Sequence, residues 1–245
     1  MDRQPSQPAT HGLEHRRLVT IQRLLAGERV DASLLNYDLR GKHAGFVVAG
    51  LESDFSFSDL RYRLSSRLLL AKPVNRLTWG WLGGKRSGLR GDLELLLAQE
   101  WPDGAAFACG EPSEGLGGWC LTHRQALAAL PIAQAGPTPA IHYRSVALLA
   151  TALHDDLLSS SLRRSYLEPL EEDRDGGLSA KDTLRAYFKA KRNASSAAAV
   201  LGVNRATVRN RLAVIEERLG CSPDMCSAAL EVALELDAVD TVART

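Results

Sequence analysis

The chain has 245 residues, of which 45% are hydrophobic and 24% charged, and this composition is typical of folded proteins rather than disordered ones. No apolar stretch approaches the roughly 20 residues of a membrane span, and the polar residues 1–10 lack the apolar core of a signal peptide. The four cysteines show no metal-site spacing and fit a reducing cytosol. We therefore expect a cytoplasmic protein with no membrane partner, no metal and no cofactor.

Helical and extended patterns alternate over the first 135 residues. Apolar residues at helical spacing predict helices around residues 18–25, 60–69, 89–101 and 121–130, with Pro73 ending the second of them. Apolar or alternating runs predict strands at residues 43–50, 76–82 and 105–109, with a turn at Gly83–Gly84 and a loop over residues 111–118. Such alternation is typical of an α/β layer.

Only helical patterns follow Tyr143, and the glycine- and proline-containing segment 133–139 separates the two regions. The predicted fold class is therefore α+β or α/β, with an α/β domain followed by an all-α domain. We predict an N-terminal tail and helix at 1–40, the α/β domain at 41–135, a helical connector at 136–180 and a C-terminal helical domain at 181–240.

Charge is distributed unevenly along the chain, although the formal net charge is only +1. Residues 181–220 contain nine basic and three acidic residues, whereas residues 150–180 and 221–245 each carry a net charge of −4. A basic block between two acidic ones indicates either a nucleic-acid surface or a solvated helix face.

The basic block contains the pattern of a helix-turn-helix. We predict that Ser195 caps a first short helix, that Gly202 forms the turn, and that Asn204 caps a second helix over residues 205–219. Val208, Leu212, Ile215 and Leu219 then form one core-facing stripe. The opposite face carries Ala206, Arg209, Asn210 and Ala213, and the first turn adds Asn204, Arg205 and Thr207.

This outer face suits the major groove of DNA. An α-helix fits that groove, where Arg can bond both acceptors of guanine and Asn can pair in the same way with adenine. The start of the first helix, at Ser195 and Ser196, is suited to a phosphate, and further sequence-independent attraction is expected from Lys189, Lys191, Arg192 and Arg211.

Residues 184–220 (LRAYFKAKRNASSAAAVLGVNRATVRNRLAVIEERLG) closely resemble the C-terminal helix-turn-helix of PucR/CdaR-type bacterial transcriptional regulators, and the helix pair is similar to the Fis-type motif. The resemblance implies that Asn193, too, lies where DNA contacts are made. It also implies that the preceding α/β segment is a degenerate GGDEF-like domain. The PucR/CdaR pattern usually has His at the position of Asn204, Asn at that of Ala206 and an aromatic residue at that of Asn210. These departures are compatible with the fold, but the operator sequence does not follow from the resemblance.

We predict from these observations a regulator that binds double-stranded DNA in a sequence-specific way. Base contacts are expected from five residues of the second helix and its cap, which are Asn204, Arg205, Thr207, Arg209 and Asn210. Phosphate contacts are expected from Asn193, Ser195, Ser196 and Arg211. One helix-turn-helix covers too few base pairs for genomic selectivity, so a homodimer or higher homo-oligomer is expected.

Three alternatives bear on this prediction. Nucleotide cyclase activity is not expected, because no Asp or Glu lies between Asp59 and Asp92 to hold the required magnesium ion. A pocket for a small-molecule effector, or a dimer surface that includes Trp79 and Trp81, stays open on the α/β domain. The competing hypothesis from another class is a non-catalytic signalling or ligand-binding module whose helical hairpin contacts proteins.

Overall fold

The computed structural model describes residues 7–52, 55–172 and 175–243. The chain separates into two compact units, Met1–Ala147 and Leu148–Thr245, which we call the α/β unit and the helical unit. The elements of the α/β unit, in chain order, are α1 (Gln7–Leu25), a short helical turn (Ser33–Leu35), β1 (Lys42–Ala49), α2 (Ser58–Arg63), β2 (Arg67–Val74), β3 (Leu77–Gly84), α3 (Arg86–Leu97), β4 (Ala106–Cys109), β5 (Ser113–Glu114), α4 (Gly115–Ala135) and β6 (Ala140–His142).

The sheet of the α/β unit has β1 at its centre. The strand order is β2-β3-β1-β4-β6, and the short strand β5 pairs with the start of β1. All pairings are antiparallel except that of β4 with β6. Because β1 is covered on both faces, its residues 43–49 are buried without interruption, which is why this strand reads as a continuous apolar run.

Side chains of alternate residues on β1 enter two different cores. Phe46 and Val48 pack with Leu89 and Leu93 of α3, while Val47 and Ala49 pack with apolar residues of α4. Each face of the sheet is thus covered by a helix, as the period-two geometry of a strand requires. The prediction of a mixed α/β domain followed by an all-helical region is confirmed.

Two glycines let α4 approach the sheet closely. A Cβ atom on Gly45 of β1 would lie 2.7 Å from Thr122 Oγ1, and one on Gly110 would lie 2.2 Å from the Thr122 carbonyl oxygen. Both distances are too short for a real side chain. Glycine at 45 and 110 therefore sets the spacing between helix and sheet.

The tryptophans of β3 face α4 and α1. Trp81 is fully buried, stacks on Trp119 with a centroid separation of 4.4 Å, and donates from Nε1 to the Trp119 carbonyl oxygen. His123 of α4 contacts the rings of both Trp79 and Trp81. The open alternative of a dimer surface that includes Trp81 is therefore excluded, because the ring belongs to the core of its own unit.

The structure also corrects parts of the element prediction. The proposed helix over residues 60–69 is wrong, since α2 ends at Arg63 and Leu68 and Leu69 lie in the edge strand β2. Residues 111–118, expected to be a loop, contain β5 and the first turn of α4. Beyond residue 135, where we placed the end of the α/β domain, β6 still pairs with β4.

The described residues of the helical unit form helices and turns, with no strand. A kinked helix, α5 (Tyr143–Leu153), leads into it and is followed by α6 (Asp156–Leu162), two short turns (Arg163–Leu167 and Glu168–Leu170), α7 (Leu178–Lys189), α8 (Ala194–Leu201), α9 (Arg205–Leu219) and α10 (Ser227–Ala243). Its main core joins Leu170, Leu184, Ile215, Leu230 and Leu234. None of the described helices is long and apolar enough to cross a membrane.

Candidate nucleic-acid interface

The helix α8 begins with an asparagine cap. Asn193 Oδ1 accepts hydrogen bonds from the amide nitrogens of Ser195 at 2.9 Å and Ser196 at 3.1 Å. The expectation that Ser195 is the cap is therefore wrong, because helical geometry already begins at Ala194. Ser195 and Ser196 instead lie in the first turn with exposed side chains, where the positive end of the helix dipole favours an anion.

The helix α9 has the predicted bounds and the predicted cap. Asn204 Oδ1 accepts from the Thr207 amide nitrogen at 2.7 Å and from the Thr207 hydroxyl at 3.0 Å. Gly220 ends the helix in the left-handed conformation, with φ of 66°. Both ends are thus defined by residues whose conformational preferences can be read in the sequence.

The turn between α8 and α9 brings the two helices into close contact. Gly202 adopts φ of 66°, which glycine tolerates without steric cost. Ala197 and Ala198 of α8 are buried against Ala186 of α7 and Val208 of α9. The small side chains allow three helices to meet at one point, and this packing fixes the angle at which α9 is presented.

The face of α9 opposite this core is exposed and polar. Val208 and Ile215 are buried, whereas Arg209, Asn210 and Ala213 are exposed. Arg205 and Ala206 extend the exposed face into the first turn. Among the described residues, neither Arg205 nor Arg209 has an acidic partner, so both guanidinium groups keep their donors available for a ligand.

A groove of about 600 Å³ runs between this face and the start of α8. It brings together four of the predicted contact residues, which are Asn193, Ser195, Arg205 and Arg209. Two carboxylates also line the groove, Glu216 in the C-terminal half of α9 and Asp224, which is 3.7 Å from Arg192 Nε. The N-terminal half of α9 is therefore the part best suited to an anionic ligand.

The groove also contains residues that the sequence analysis did not identify. Tyr187 of α7 lines it and donates its hydroxyl to Asp224 Oδ2 at 3.4 Å. Burial, followed by the charge of Asp224, raises the pKa of Tyr187. Nothing in the local sequence indicates this contact, because the two residues are 37 positions apart.

Arg211 lies on the other flank of α9. Its side chain is half-buried, and Nη1 donates to Thr183 Oγ1 of α7 at 3.2 Å. Together with Asn210 it lines a separate hollow of about 200 Å³. The structure therefore does not bring Arg211 and Asn210 into the groove with the other predicted contacts, and their DNA contacts stay predictions.

Several other basic residues of the block 181–220 are tied to acids. Lys181 is buried, and its Nζ lies 2.8 Å from Glu171 Oε1 and 3.1 Å from Asp237 Oδ1. Arg185 Nη2 lies 3.1 Å from Asp237 Oδ2. By contrast, Lys189 and Lys191 are exposed. Much of the local positive charge thus stabilises the helical unit and is unavailable to a ligand.

The C-terminal segment matches a known domain family. Residues 181–238 match the model of the PucR C-terminal helix-turn-helix domain, so this part of the chain is similar to that domain. A comparison with curated proteins gives no match. Among solved structures, the chain is similar to a regulator of polyketide synthase expression from Bifidobacterium adolescentis, with 17% identity and a TM-score of 0.44 over 93% of this chain and 92% of that chain.

Proposed function

We propose that the protein is a transcriptional regulator that binds double-stranded DNA in a sequence-specific way, with α9 in the major groove. The observation that carries the proposal is the exposed face of α9, on which Arg205 and Arg209 alternate with the small residues Ala206 and Ala213. Small side chains let the helix backbone approach the base edges, and unpaired guanidinium groups can grip guanine. The match of residues 181–238 to the PucR domain supports the same function.

Base contacts are proposed for Asn204, Arg205, Thr207, Arg209 and Asn210. Arg209 and Arg205 are the strongest candidates, since both are exposed and line the same groove. Asn204 and Thr207 have fewer free groups for DNA, because the amide and the hydroxyl of Thr207 both donate to the side-chain oxygen of Asn204. For Asn204 this leaves the side-chain amide hydrogens to meet an acceptor on DNA.

Phosphate contacts are proposed for Asn193, Ser195, Ser196 and Arg211. Ser195 and Ser196 lie at the positive end of α8, where exposed hydroxyls and the helix dipole suit a phosphate oxygen. Asn193 holds the first turn in place through its oxygen. Arg211 would reach a phosphate only from the opposite flank of α9, after releasing Thr183.

We further propose that the protein acts on DNA as a homodimer or higher homo-oligomer in the cytoplasm and has no catalytic activity. The α/β unit would be the degenerate GGDEF-like domain of such regulators, serving dimerisation or signal relay.

The Asp92 carboxylate of this unit supports a non-catalytic role, because both oxygens accept hydrogen bonds from Ser65 and Ser66 and hold the start of β2. A carboxylate occupied in this way is poorly placed to hold a metal-bound nucleotide.

The proposal is tested by selecting fragmented genomic DNA with the purified protein at about 150 mM salt, where weak nonspecific binding is reduced. The variant Arg205→Ala/Arg209→Ala is compared with Arg124→Ala/Arg164→Ala, which removes the same charge from exposed positions outside the helix-turn-helix. We expect paired motifs to be enriched by the wild type and the control variant, and not by Arg205→Ala/Arg209→Ala.

Two outcomes contradict the proposal. Equal enrichment by all three proteins would mean that DNA is bound through residues other than those on α9. No enrichment by any protein, together with capture of a protein partner whose affinity changes little with salt, would favour the module that uses its helical hairpin for protein contacts.

A further inference from the structure

A second concave surface lies on the α/β unit, far along the chain from the helix-turn-helix. It is bounded by α1, by the short turn Ser33–Leu35, by α2 and by the edge strand β2. Two adjoining hollows of about 620 and 430 Å³ share Arg17 and Arg61 in their linings. The larger is within the size range of small-molecule sites.

Basic side chains outnumber acidic ones on this surface, because the lining of the smaller hollow adds Lys72 and one carboxylate, Glu14. Arg17, Arg61 and Arg67 line the larger hollow, and in the described part of the chain none of them forms an ion pair with an acid. Arg17 Nη2 and Arg61 Nη2 each approach a backbone carbonyl oxygen, of Leu35 and Leu68, only at 3.5 Å. Because a guanidinium group has five N–H donors, most of them stay available.

Two buried polar atoms in the same lining have no partner. Arg17 Nε and Ser66 Oγ are buried and form no hydrogen bond within the described protein. Ser66 is held in place because its amide donates to Asp92 Oδ2 at 2.7 Å, while its hydroxyl is left unused. Both atoms are shielded from solvent in this conformation, so they show where the lining is incompletely satisfied but do not themselves contact a ligand in the hollow.

Apolar side chains complete the lining. Leu34 and Leu13 of α1 line the larger hollow and are 37% and 48% exposed, whereas Leu35, Leu68 and Leu69 also line it but are buried in the cores beneath. An inorganic ion alone would leave this apolar surface unused. The lining therefore fits a molecule that has an anionic group at one end and an apolar body at the other.

We propose that this surface, which we call the arginine groove, binds a small organic anion. The guanidinium groups of Arg17 and Arg61 would hold its carboxylate or phosphate group, since the planar fork of arginine matches both groups. The leucines would cover the apolar body. The proposal does not depend on DNA binding, and the two are tested separately.

The first test measures fluorescence of anilinonaphthalene sulfonate, an anionic apolar probe, titrated with the full-length protein. We expect the variant Arg17→Gln/Arg61→Gln to weaken probe binding at least about tenfold, because two charged hydrogen-bonding groups are lost. The control Arg90→Gln/Arg124→Gln removes the same charge from exposed positions of the same unit and should change the affinity less than about twofold. The uncharged analogue phenylnaphthylamine should bind both variants equally.

The second test blocks the groove without changing its charge. Leu34→Trp, at a half-exposed lining residue, should reduce binding of the anionic probe as strongly as the arginine variant. Thermal unfolding of each variant checks that it is folded, since partly folded proteins also bind this probe. Equal probe binding by folded wild type, arginine variant and Leu34→Trp would overturn the proposal.

Competition then identifies the anionic group. Octanoate and octyl phosphate are added to the complex of wild-type protein with the probe. Displacement by either supports the proposal, and the stronger competitor shows whether the groove prefers a carboxylate or a phosphate. Displacement by neither, at concentrations well above that of the probe, would overturn it.

Discussion

The helices α7 and α9 are both basic in sequence, but within the described part of the chain most basic side chains of α7 form ion pairs, whereas two of those on α9 do not. On α7, Lys181 and Arg185 are paired with Asp237 of α10, and Lys181 also with Glu171. On α9, Arg205 and Arg209 are exposed, and we find no acidic partner for them among residues 7–52, 55–172 and 175–243. Asp237 of the acidic tail therefore pairs with two basic residues of α7, whereas Arg205 and Arg209 of α9 keep their charge.

The difference teaches how a net charge of +6 over residues 181–220 should be interpreted. Only residues that keep their charge unpaired contribute to attraction of a polyanion, and these lie at the end of α7 and along α9. A basic residue that faces an acidic helix contributes to folding instead. The predictions below separate the two classes, beginning with the largest expected effect.

Replacing Asp237 with Ala should reduce the free energy of unfolding by about 3 kcal/mol, since it leaves the buried Lys181 with a single acidic partner. Urea unfolding followed by circular dichroism measures the change. Glu231→Ala, at an exposed position of α10, is the control and should change the stability by less than about 0.5 kcal/mol. Equal effects of the two substitutions would mean that the ion pairs of α7 do not stabilise the helical unit.

Replacing Arg209 with Ala should weaken binding to the selected operator by about 1–3 kcal/mol and relax the preference at one base pair. Stability should change little, because the side chain is exposed. Fluorescence anisotropy with operators that carry single base changes measures both quantities. If Arg209→Ala weakened binding to all sequences by the same factor, its assignment as a base contact would be wrong.

Replacing Asn204 with Ala should cost about 1 kcal/mol of stability, because the Thr207 amide loses its acceptor at the start of α9. Asn210→Ala, in the exposed middle of the same helix, is the matched control. It should leave thermal stability nearly unchanged while altering the preferred operator. A larger loss of stability in Asn210→Ala than in Asn204→Ala would contradict the observed cap.

Replacing Lys189 with Ala should reduce the slope of log K against log salt by about 0.9 if this exposed residue contacts one phosphate. The base preference should not change, since phosphate contacts carry no sequence information. Lys85→Ala, at an exposed position of the α/β unit, serves as the control and should leave the slope as it is. An unchanged slope in Lys189→Ala would place this residue outside the DNA interface.

The elements that the sequence predicts correctly are those with clear capping residues or a clear hydrophobic period. The bounds of α9 agree with the sequence prediction because Asn204 and Gly220 define its ends. The start of β2 reads as part of a helix in the sequence because Leu60, Leu64 and Leu68 are spaced by four, although these residues belong to a short helix, the residue after it and an edge strand. The three-residue strand β6 forms through pairing with β4 and is too short to show a period of its own.

The candidate sites show the same limit. The outer face of α9 can be predicted from the sequence, because all of its residues belong to one helix and follow helical spacing. It did not show that Arg211 faces α7, nor that Tyr187 shares a groove with Arg205, since both depend on how neighbouring helices pack. The arginine groove cannot be predicted from the sequence either, because Arg17, Arg61 and Arg67 come from three different elements.

His123 of α4 gives the α/β unit a built-in response to acid. Both ring nitrogens are buried without a partner beside Trp79 and Trp81, and burial lowers the pKa of His123 to about 4. In the unfolded chain the same imidazole titrates near 6.5, so unfolding at mildly acidic pH takes up a proton. The contribution of the neutral ring to the free energy of unfolding is therefore fully present above about pH 6.5. It falls by up to about 1.4 kcal/mol per pH unit as the pH decreases towards 4.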